Sequence, residues 1–533
     1  MVFAMTNKFY SFDEAAALIP DGACITVSSS SGLNCPDRML KAVAERFKKC
    51  GSPSSLTSIH PIAAGDLYGI DGIDHMAIDG LLTCVIAGSF PSGPSSKPMP
   101  RIWKAIIDNK ISAYNLPSGV IFDMHRDAAV FKPGVLTQVG IGTYVDPDQE
   151  GGAMNELAKS QPIVKKVSFA GETWLHFNSI APDVAILRGS SADENGNIRF
   201  ELEGAFLGAL DQALCVKNRG GKVIIQVKRV VAAGTMKAQE VHIPGHLVDC
   251  VVVDPNQIQT TQTPYDPAIS GEIRVPETDL ETVPMSVEKV IARRAAKELK
   301  EGDTANLGFG ISANVPRILL EQGRNSEVTW VIEQGAVGGM PMLGFAFGCA
   351  ANANAIMRSS DQFVYFQGGG FDVTFLSFLQ IDEQGNVNVS KLVGRPYLTA
   401  GCGGFIDIVN RAKRIVFCGQ FAAGAKLSLN PNGLSLEAEG KAKKLVRQVE
   451  QITFNGQRAL QQGQDVTYIT ERCVMKLTTK GIEVVEVAPG FDLQRDILDQ
   501  ADFPLLVADE TKKMSLDLYM DSDFECSNPD VTE

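Results

Sequence analysis

VIEQGAVGGMP (331–341) holds one acid among apolar and small residues, and Glu333 is the only charged side chain between Glu327 and Arg358. A chain with 62 acidic residues has ample surface on which to keep a carboxylate in water. One held in an uncharged, glycine-rich stretch therefore has a structural or a chemical reason. Flanked by Gly335, Gly338 and Gly339, such a carboxylate can meet a bulky electrophile, and carboxylates act as covalent nucleophiles. The structural alternative is a strand-end residue that caps a turn.

Three glycine clusters in the same half of the chain favour chemistry. NLGFGIS (306–312), with Gly308 and Gly310, reads as a strand, a turn and a helix start able to aim backbone N–H groups at an anion. QGGGFD (367–372) includes Gly369 and Gly370, and AGCGGFID (400–407) includes Gly403 and Gly404, which offer unhindered N–H donors to a developing oxyanion. Each alone is a tight turn. Three with one isolated acid suggest a shared cleft.

Other chemistries find little support. All six histidines lie at or before His246, and His242 and His246 are separated by Pro244, which spoils a shared helical face. No metal site is expected. The 11 cysteines include no CxxC pair, and Cys349 and Cys402 sit in apolar, uncharged surroundings, so they read as reduced packing residues of a cytoplasmic protein. The net charge of −13 argues against nucleic acid and anionic membrane surfaces. The N-terminal MVFAMTNKFYSFDEAAALIP has neither the form of a secretory signal nor that of an arginine-rich transit peptide. The uncharged AVGGMPMLGFAFGCAANANAIM (336–357) is long enough to raise a membrane span, but its glycines, proline and asparagines suit buried backbone near a ligand instead.

The elements that must position these residues occur twice. DGACITVSSSSGLNCPDRML (21–40) matches EGDTANLGFGISANVPRILL (301–320) at a constant offset of 280, aligning Gly22, Asn34 and Pro36 with Gly302, Asn314 and Pro316. ADENGNI (192–198) matches IDEQGNV (381–387), and KNRGGKVII (217–225) matches VNRAKRIVF (409–417). Short β-branched runs such as VIIQV, VTWVI and RIVFC alternate with amphipathic stretches such as RRAAKELKEG, as α/β domains with largely parallel sheets do. The expected organisation is two similar α/β domains, 1–255 and 285–515, joined by a polar, proline-broken linker at 256–284 and followed by an acidic tail at 516–533. Ligands collect beyond the carboxyl ends of strands in such sheets, and Glu333 follows VTWVI.

The ordered segments NLGFGIS, VIEQGAVGG, GGGFD and GCGGFIDI resemble those of the family I coenzyme A transferases, in particular the single-chain, fused-subunit type similar to succinyl-CoA:3-ketoacid CoA-transferase. AYNLPSGV (113–120), QVGIGTYVDP (138–147), PDVAILRG (182–189) and IPGHLVD (243–249) extend the resemblance over almost the whole chain. It implies an N-terminal domain carrying the acid site and a C-terminal domain carrying a nucleophilic Glu333. Coenzyme contact falls on Gly308 and Gly310, oxyanion donation on Gly403 and Gly404, and substrate contact on Ser118, Gly119, Gly369 and Gly370. The implied reaction moves CoA from a short-chain acyl-CoA to a free acid such as acetate, by ping-pong steps through a glutamyl-CoA thioester. CoA is a substrate there, no prosthetic group is required, and the enzyme is expected to be a homo-oligomer, dimer or tetramer.

Two positions depart from the family pattern. Ser118 replaces the glutamine of the first-half P-Q-G loop, which bears on acid preference, and Gln334 follows Glu333 where a small residue is more usual. Three alternatives remain open on sequence alone. An acyl-CoA hydrolase would use the same glutamate with water, a sugar-phosphate isomerase or effector-binding relative would form no covalent CoA adduct, and a non-catalytic acyl-CoA binding protein would not need Glu333.

Overall fold

The computed structural model describes residues 8–92 and 98–520, so part of the expected tail, 521–533, lies outside the described residues. Packing divides the chain into two units. The first gathers the chain up to Val275 with Val331–Gly370 and Ser390–Asn410, and the second gathers Pro276–Trp330, Phe371–Val389 and the chain from Arg411 onward. The segment that holds Glu333 therefore groups with the N-terminal part of the chain and with Ser390–Asn410. Its contacts decide this, and composition carries no record of them.

The first unit is built on seven strands: Cys24–Val27 (β1), Leu56–His60 (β2), Leu82–Ala87 (β3), Ser112–Asn115 (β4), Val184–Arg188 (β5), Lys222–Val227 (β6) and Cys250–Val253 (β7). They pair in the order β7-β6-β5-β1-β2-β3-β4, all parallel. Runs such as VAILR and CVVV are buried on both faces, as a sheet covered on both sides requires. Ile186 and Ile224 enter one hydrophobic cluster with Met39, Leu40 and Val43, while their neighbours Leu187 and Ile225 enter another with Ala213 and Val216. The helices Asp37–Cys50 and Ala209–Asn218 supply those two covers. Asp37–Cys50 opens with an acid, closes on Lys48 and Lys49, and stops at Gly51 in the left-handed region, φ 75°.

The second unit carries Thr304–Leu307 (β8), Thr329–Trp330 (β9), Val373–Ser377 (β10), Arg414–Cys418 (β11), Asp465–Ile469 (β12), Cys473–Thr478 (β13), Gly481–Val487 (β14) and Leu506–Lys513 (β15). Their order is β9-β8-β10-β11-β12-β13-β14-β15, with antiparallel pairing only on either side of β13. The run β12-β11-β10-β8-β9 repeats β7-β6-β5-β1-β2 strand for strand, so the internal repeat read from the sequence is a repeat of structure. The matched polar turns are also alike. Asp193 accepts from the N–H groups of Asn195 and Asn197 and from the Asn197 amide, each at 2.9 Å, and Asp382 accepts from Gln384, Asn386 and the Asn386 amide, each at 3.0 Å.

Two expected elements differ. The VTWVI run yields only the two-residue strand β9, because the chain turns at once into the loop bearing Glu333. In the expected linker, Gln257, Gln259, Thr260 and Thr261 are buried, with the Gln257 amide donating to Gly189 O at 2.9 Å and that of Gln259 to Leu202 O at 2.8 Å. Polar side chains bury readily when backbone acceptors meet them. The uncharged stretch after Glu333 forms short strands, Ala336–Val337, Met340–Pro341, Ala350–Ala351 and Ala355–Ile356, and no described helix is long and apolar enough to cross a membrane.

Candidate active site

Glu333 stands at the apex of a tight turn. Gly335 N–H donates to Ile332 O at 2.8 Å, which puts Glu333 and Gln334 at the two central positions, and Ile332 N–H donates to Ala336 O at 2.9 Å. Gly335 has φ 119°, and a β-carbon on it would lie 2.0 Å from Met357 O, so only glycine closes this turn. The glycine that sequence reasoning linked to open approach thus also serves the backbone.

The carboxyl group of Glu333 takes hydrogen bonds from two neighbours. Gln334 Nε2 donates to Glu333 Oε1 at 3.0 Å and reaches Ser30 Oγ at 3.2 Å. The Gly404 backbone N–H also donates to the carboxylate. Gly404 has no side chain to spare, since a β-carbon there would fall 2.4 Å from Glu333 Oε2 and 2.6 Å from Phe363 Cε1. Glu333 remains partly open to solvent as a residue, which leaves an approach for a substrate. Burial nonetheless pushes its pKa up to about 7, against the two hydrogen bonds, which lower it.

The AGCGG loop is laced to the carboxyl ends of β3 and β4. Gly403 N–H donates to Gly88 O at 2.8 Å, Cys402 N–H to Asn115 Oδ1 at 2.9 Å, and Ser118 N–H to Gly403 O at 2.9 Å. Asn115, the last residue of β4, also accepts from the Tyr144 hydroxyl. Of the two expected oxyanion donors, Gly403 thus has its N–H engaged with Gly88 O, while that of Gly404 faces Glu333. Gly403 sits at φ 52° and completes the turn.

Ser118 and Gly119 open the helix Ser118–Ala129 beside this loop. Ser118 is fully buried, and its Oγ has no hydrogen-bond partner among the described residues. A β-carbon on Gly88 would lie 2.4 Å from that Oγ. Gly119 N–H donates to Asp407 Oδ2 at 2.9 Å, and Gln367 Nε2 donates to Asp407 Oδ1 at 3.0 Å. Asp407 is fully buried, and burial pushes its pKa up to about 8.

Sequence reasoning passed over Asp407 and Gln367, although Asp407 is the only charged residue between Arg395 and Arg411. That is the same signal that singled out Glu333. The N–H groups of Gly369 and Gly370 bond Phe366 O and Tyr365 O at 2.9 and 3.1 Å, as residues ending a helix do. The helix they end, Ser359–Gln367, carries Phe363 and Gln367.

Gly308 and Gly310 belong to the second unit, just beyond β8. Gly308 N–H donates to Phe375 O at 2.7 Å, Gly310 has φ 93°, and a β-carbon on Gly310 would lie 2.9 Å from Ser377 Oγ. The positive φ of Gly310 fits the loop's own backbone to a glycine. Among the described residues no group of His, Cys, Asp and Glu side chains is arranged to hold a metal ion.

The family model for coenzyme A transferase matches residues 9–254. A caffeate CoA-transferase of Acetobacterium woodii is 41% identical over 96% of this chain and 97% of its own. Acetate CoA-transferase YdiF of Escherichia coli K12 is 38% identical over 96% and 95%. Two crystal structures of the acyl-CoA transferase YdiF of E. coli O157:H7 superpose on the chain. The apoenzyme gives a TM-score of 0.90 at 36% identity, covering 99% of both chains, and a thioester complex with CoA gives 0.88 at 37%, covering 98% of both. With near-complete relatives at this identity, a shared α/β architecture and the expected segments in order, the chain belongs to the coenzyme A transferase family.

Proposed function

We propose that the enzyme transfers CoA from a short-chain acyl-CoA to a free carboxylic acid by ping-pong catalysis, with Glu333 as the covalent nucleophile. The observation that carries this reading is the Glu333 carboxylate held on a turn apex against the N–H of a glycine that has no room for a side chain. A carboxylate oxygen of Glu333 attacks the thioester carbonyl, the C–S bond breaks, and a mixed anhydride and CoA thiolate result. The thiolate attacks the glutamyl carbonyl and expels the first acid as its carboxylate, leaving glutamyl-CoA. An incoming carboxylate reverses the steps and restores Glu333. Both nucleophiles are anions, so neither step needs a base.

Each residue near Glu333 then has a part. The Gly404 N–H, bonded to the resting carboxylate, is placed to follow the oxygen that becomes the oxyanion. Gly403 shapes the loop that presents it. Gln334 steadies the other carboxylate oxygen through its bond at 3.0 Å. Burial that lifts Glu333 also restricts water, which would hydrolyse the anhydride. Gly308 and Gly310 are assigned to the coenzyme, whose remote contacts supply binding energy used at the reacting centre.

Two relatives of similar identity are named for acids as unlike as caffeate and acetate, so family membership leaves the acid open. We assign its selection in part to Ser118, whose enclosed hydroxyl has no partner among the described residues. The enzyme is expected to work in the cytoplasm as a homo-oligomer.

Incubation with acetyl-CoA and no acceptor should add CoA to the peptide containing Glu333, and borohydride should trap it and inactivate the enzyme. Exchange should show ping-pong kinetics and vanish in Glu333→Ala. Sequential kinetics with an active Glu333→Ala would end this reading, and rapid thiol release without acceptor would mark a hydrolase.

A further inference from the structure

The acid beside Glu333 that the transfer steps do not use is Asp407. It sits on the helix Phe405–Val409, directly after Gly404, and is fully buried. Both of its oxygens accept, one from Gly119 N–H at 2.9 Å and one from Gln367 Nε2 at 3.0 Å. The fit is close, since a β-carbon on Gly119 would lie 2.6 Å from Asp407 Oδ1 and 2.7 Å from Gln367 Nε2. Three pieces of chain thus converge on one carboxyl group: the Ser118–Gly119 helix start, the end of the helix Ser359–Gln367, and the loop whose Gly404 touches Glu333.

We propose that Asp407 is a positioning residue for the acid half of the reaction, tying the Gly119 turn and the Gln367 amide to the loop that cradles Glu333, and that its protonated form is the one that admits an acceptor carboxylate. This rests on the reading of Glu333 as nucleophile. Charge supplies the reason. The groups facing Asp407 are Asp123 on the Ser118–Ala129 helix, Glu333 on its turn and the Cys402 thiol on its own loop. None of these is a cation, and the Arg126 guanidinium acts on Asp123. Burial lifts Asp123 to about 6 and Asp407 to about 8, so Asp407 is the acid that keeps its proton at neutral pH. Once glutamyl-CoA has formed, Glu333 bears no charge, and the incoming carboxylate is then the single anion beside a neutral Asp407. Ionised, Asp407 would repel it.

The test is the Michaelis constant for acetate as acceptor, measured from pH 6.5 to 9.5 with butyryl-CoA as donor, for the full-length enzyme and for Asp407→Asn. In the wild type the constant should be flat up to about pH 8 and then rise about tenfold per pH unit, the slope for loss of one proton. In Asp407→Asn, which stays neutral, the rise should vanish. Gln367→Leu removes a donor that favours the Asp407 anion, so the rise should move to higher pH; this variant decides the matter if Asp407→Asn does not fold.

CoA mass on Glu333, measured in parallel in the wild type, separates the two ideas. Its absence would remove the nucleophile reading itself. Its presence, with the same pH dependence of the acetate constant in wild type and variants, would overturn the role of Asp407 alone. Equal loss of adduct formation and acceptor use in Asp407→Asn, with the rise in Gln367→Leu unmoved, would likewise reduce Asp407 to a packing residue.

Discussion

A β-carbon added to Gly404 would fall 2.4 Å from Glu333 Oε2, so the Glu333 carboxylate occupies the space that a side chain at 404 would fill. Gly404 has φ −85°, which any residue adopts, and its constraint is therefore steric alone. Gly404→Ala should move the Glu333 carboxylate off the backbone N–H and cost about 10²–10³ in turnover, the scale of a lost oxyanion donor. Gly403→Ala is the contrasting case. At φ 52° it strains the backbone by about 1–2 kcal/mol, yet its β-carbon meets only Ser89 Oγ at 3.1 Å, so it should lower the unfolding midpoint more than the turnover of the folded fraction. Steady-state rates beside a urea titration of each variant distinguish the two.

Glu333 also weakens the fold that holds it. Its folded pKa of about 7 lies above the ordinary 4.5, so its contribution to stability is full below about pH 4.5 and is lost as pH rises through about 7. Glu333→Gln cannot ionise and escapes that loss. The variant should match the wild type near pH 4.5 and exceed it at pH 8 by about 3 kcal/mol, the linkage equivalent of such a shift. Urea midpoints at the two pH values test this, and a constant difference between variant and wild type would contradict it.

Local signals in the sequence reported local structure well. RIVFC is β11 from end to end, VIIQV lies within β6, and the repeated Gly22 and Gly302 both take positive φ, 74° and 85°. The isolation of Glu333 reported a carboxylate set on a turn among buried backbone, because charge is excluded where backbone is buried. Applied once more, the same criterion would have found Asp407. What composition could not carry was allegiance: residues 331–370 and 390–410 lie within the second repeat in sequence but pack with the first unit, because their partners, such as Leu207 for Ser359 and Gly88 and Asn115 for the AGCGG loop, come from far along the chain. The polar run after Pro255 misled for a related reason, since a glutamine looks alike in a linker and in a buried network such as that of Gln257.

The duplicated turns offer a stability test with an internal control. Asp193 and Asp382 are both almost fully buried and each accepts three bonds within its own turn. Either change to alanine leaves two backbone N–H groups and one amide without their acceptor, which should cost about 2–4 kcal/mol at each site, somewhat more at Asp382, which also accepts from Val449 N–H at 3.4 Å. Each belongs to a different packing unit, so limited proteolysis should show Asp193→Ala loosening the first and Asp382→Ala the second. Identical cleavage patterns would mean that the two units do not open separately.

Ser118 gives the sharpest handle on acid preference, and its surroundings decide which substitution to use. The family glutamine would add an amide and two methylenes to a fully buried position where Gly88 already leaves no room for a β-carbon beside the serine hydroxyl. Ser118→Gln should therefore narrow the acceptor range toward short acids, with changes in kcat/KM between acids of about 10–200-fold, and should also lower stability by about 1–3 kcal/mol through overpacking. Ser118→Ala separates these effects. It removes a hydroxyl that has no partner among the described residues, so the fold should hold or gain slightly. If that hydroxyl is kept for the substrate, a 3-oxo or hydroxy acid should lose about 2–10-fold in kcat/KM relative to acetate and butyrate, the value of one hydrogen bond, while CoA loading of Glu333 is unchanged. The same ranking of acetate, butyrate, a 3-oxo acid and a hydroxy acid in wild type, Ser118→Ala and Ser118→Gln would remove Ser118 from the acid site.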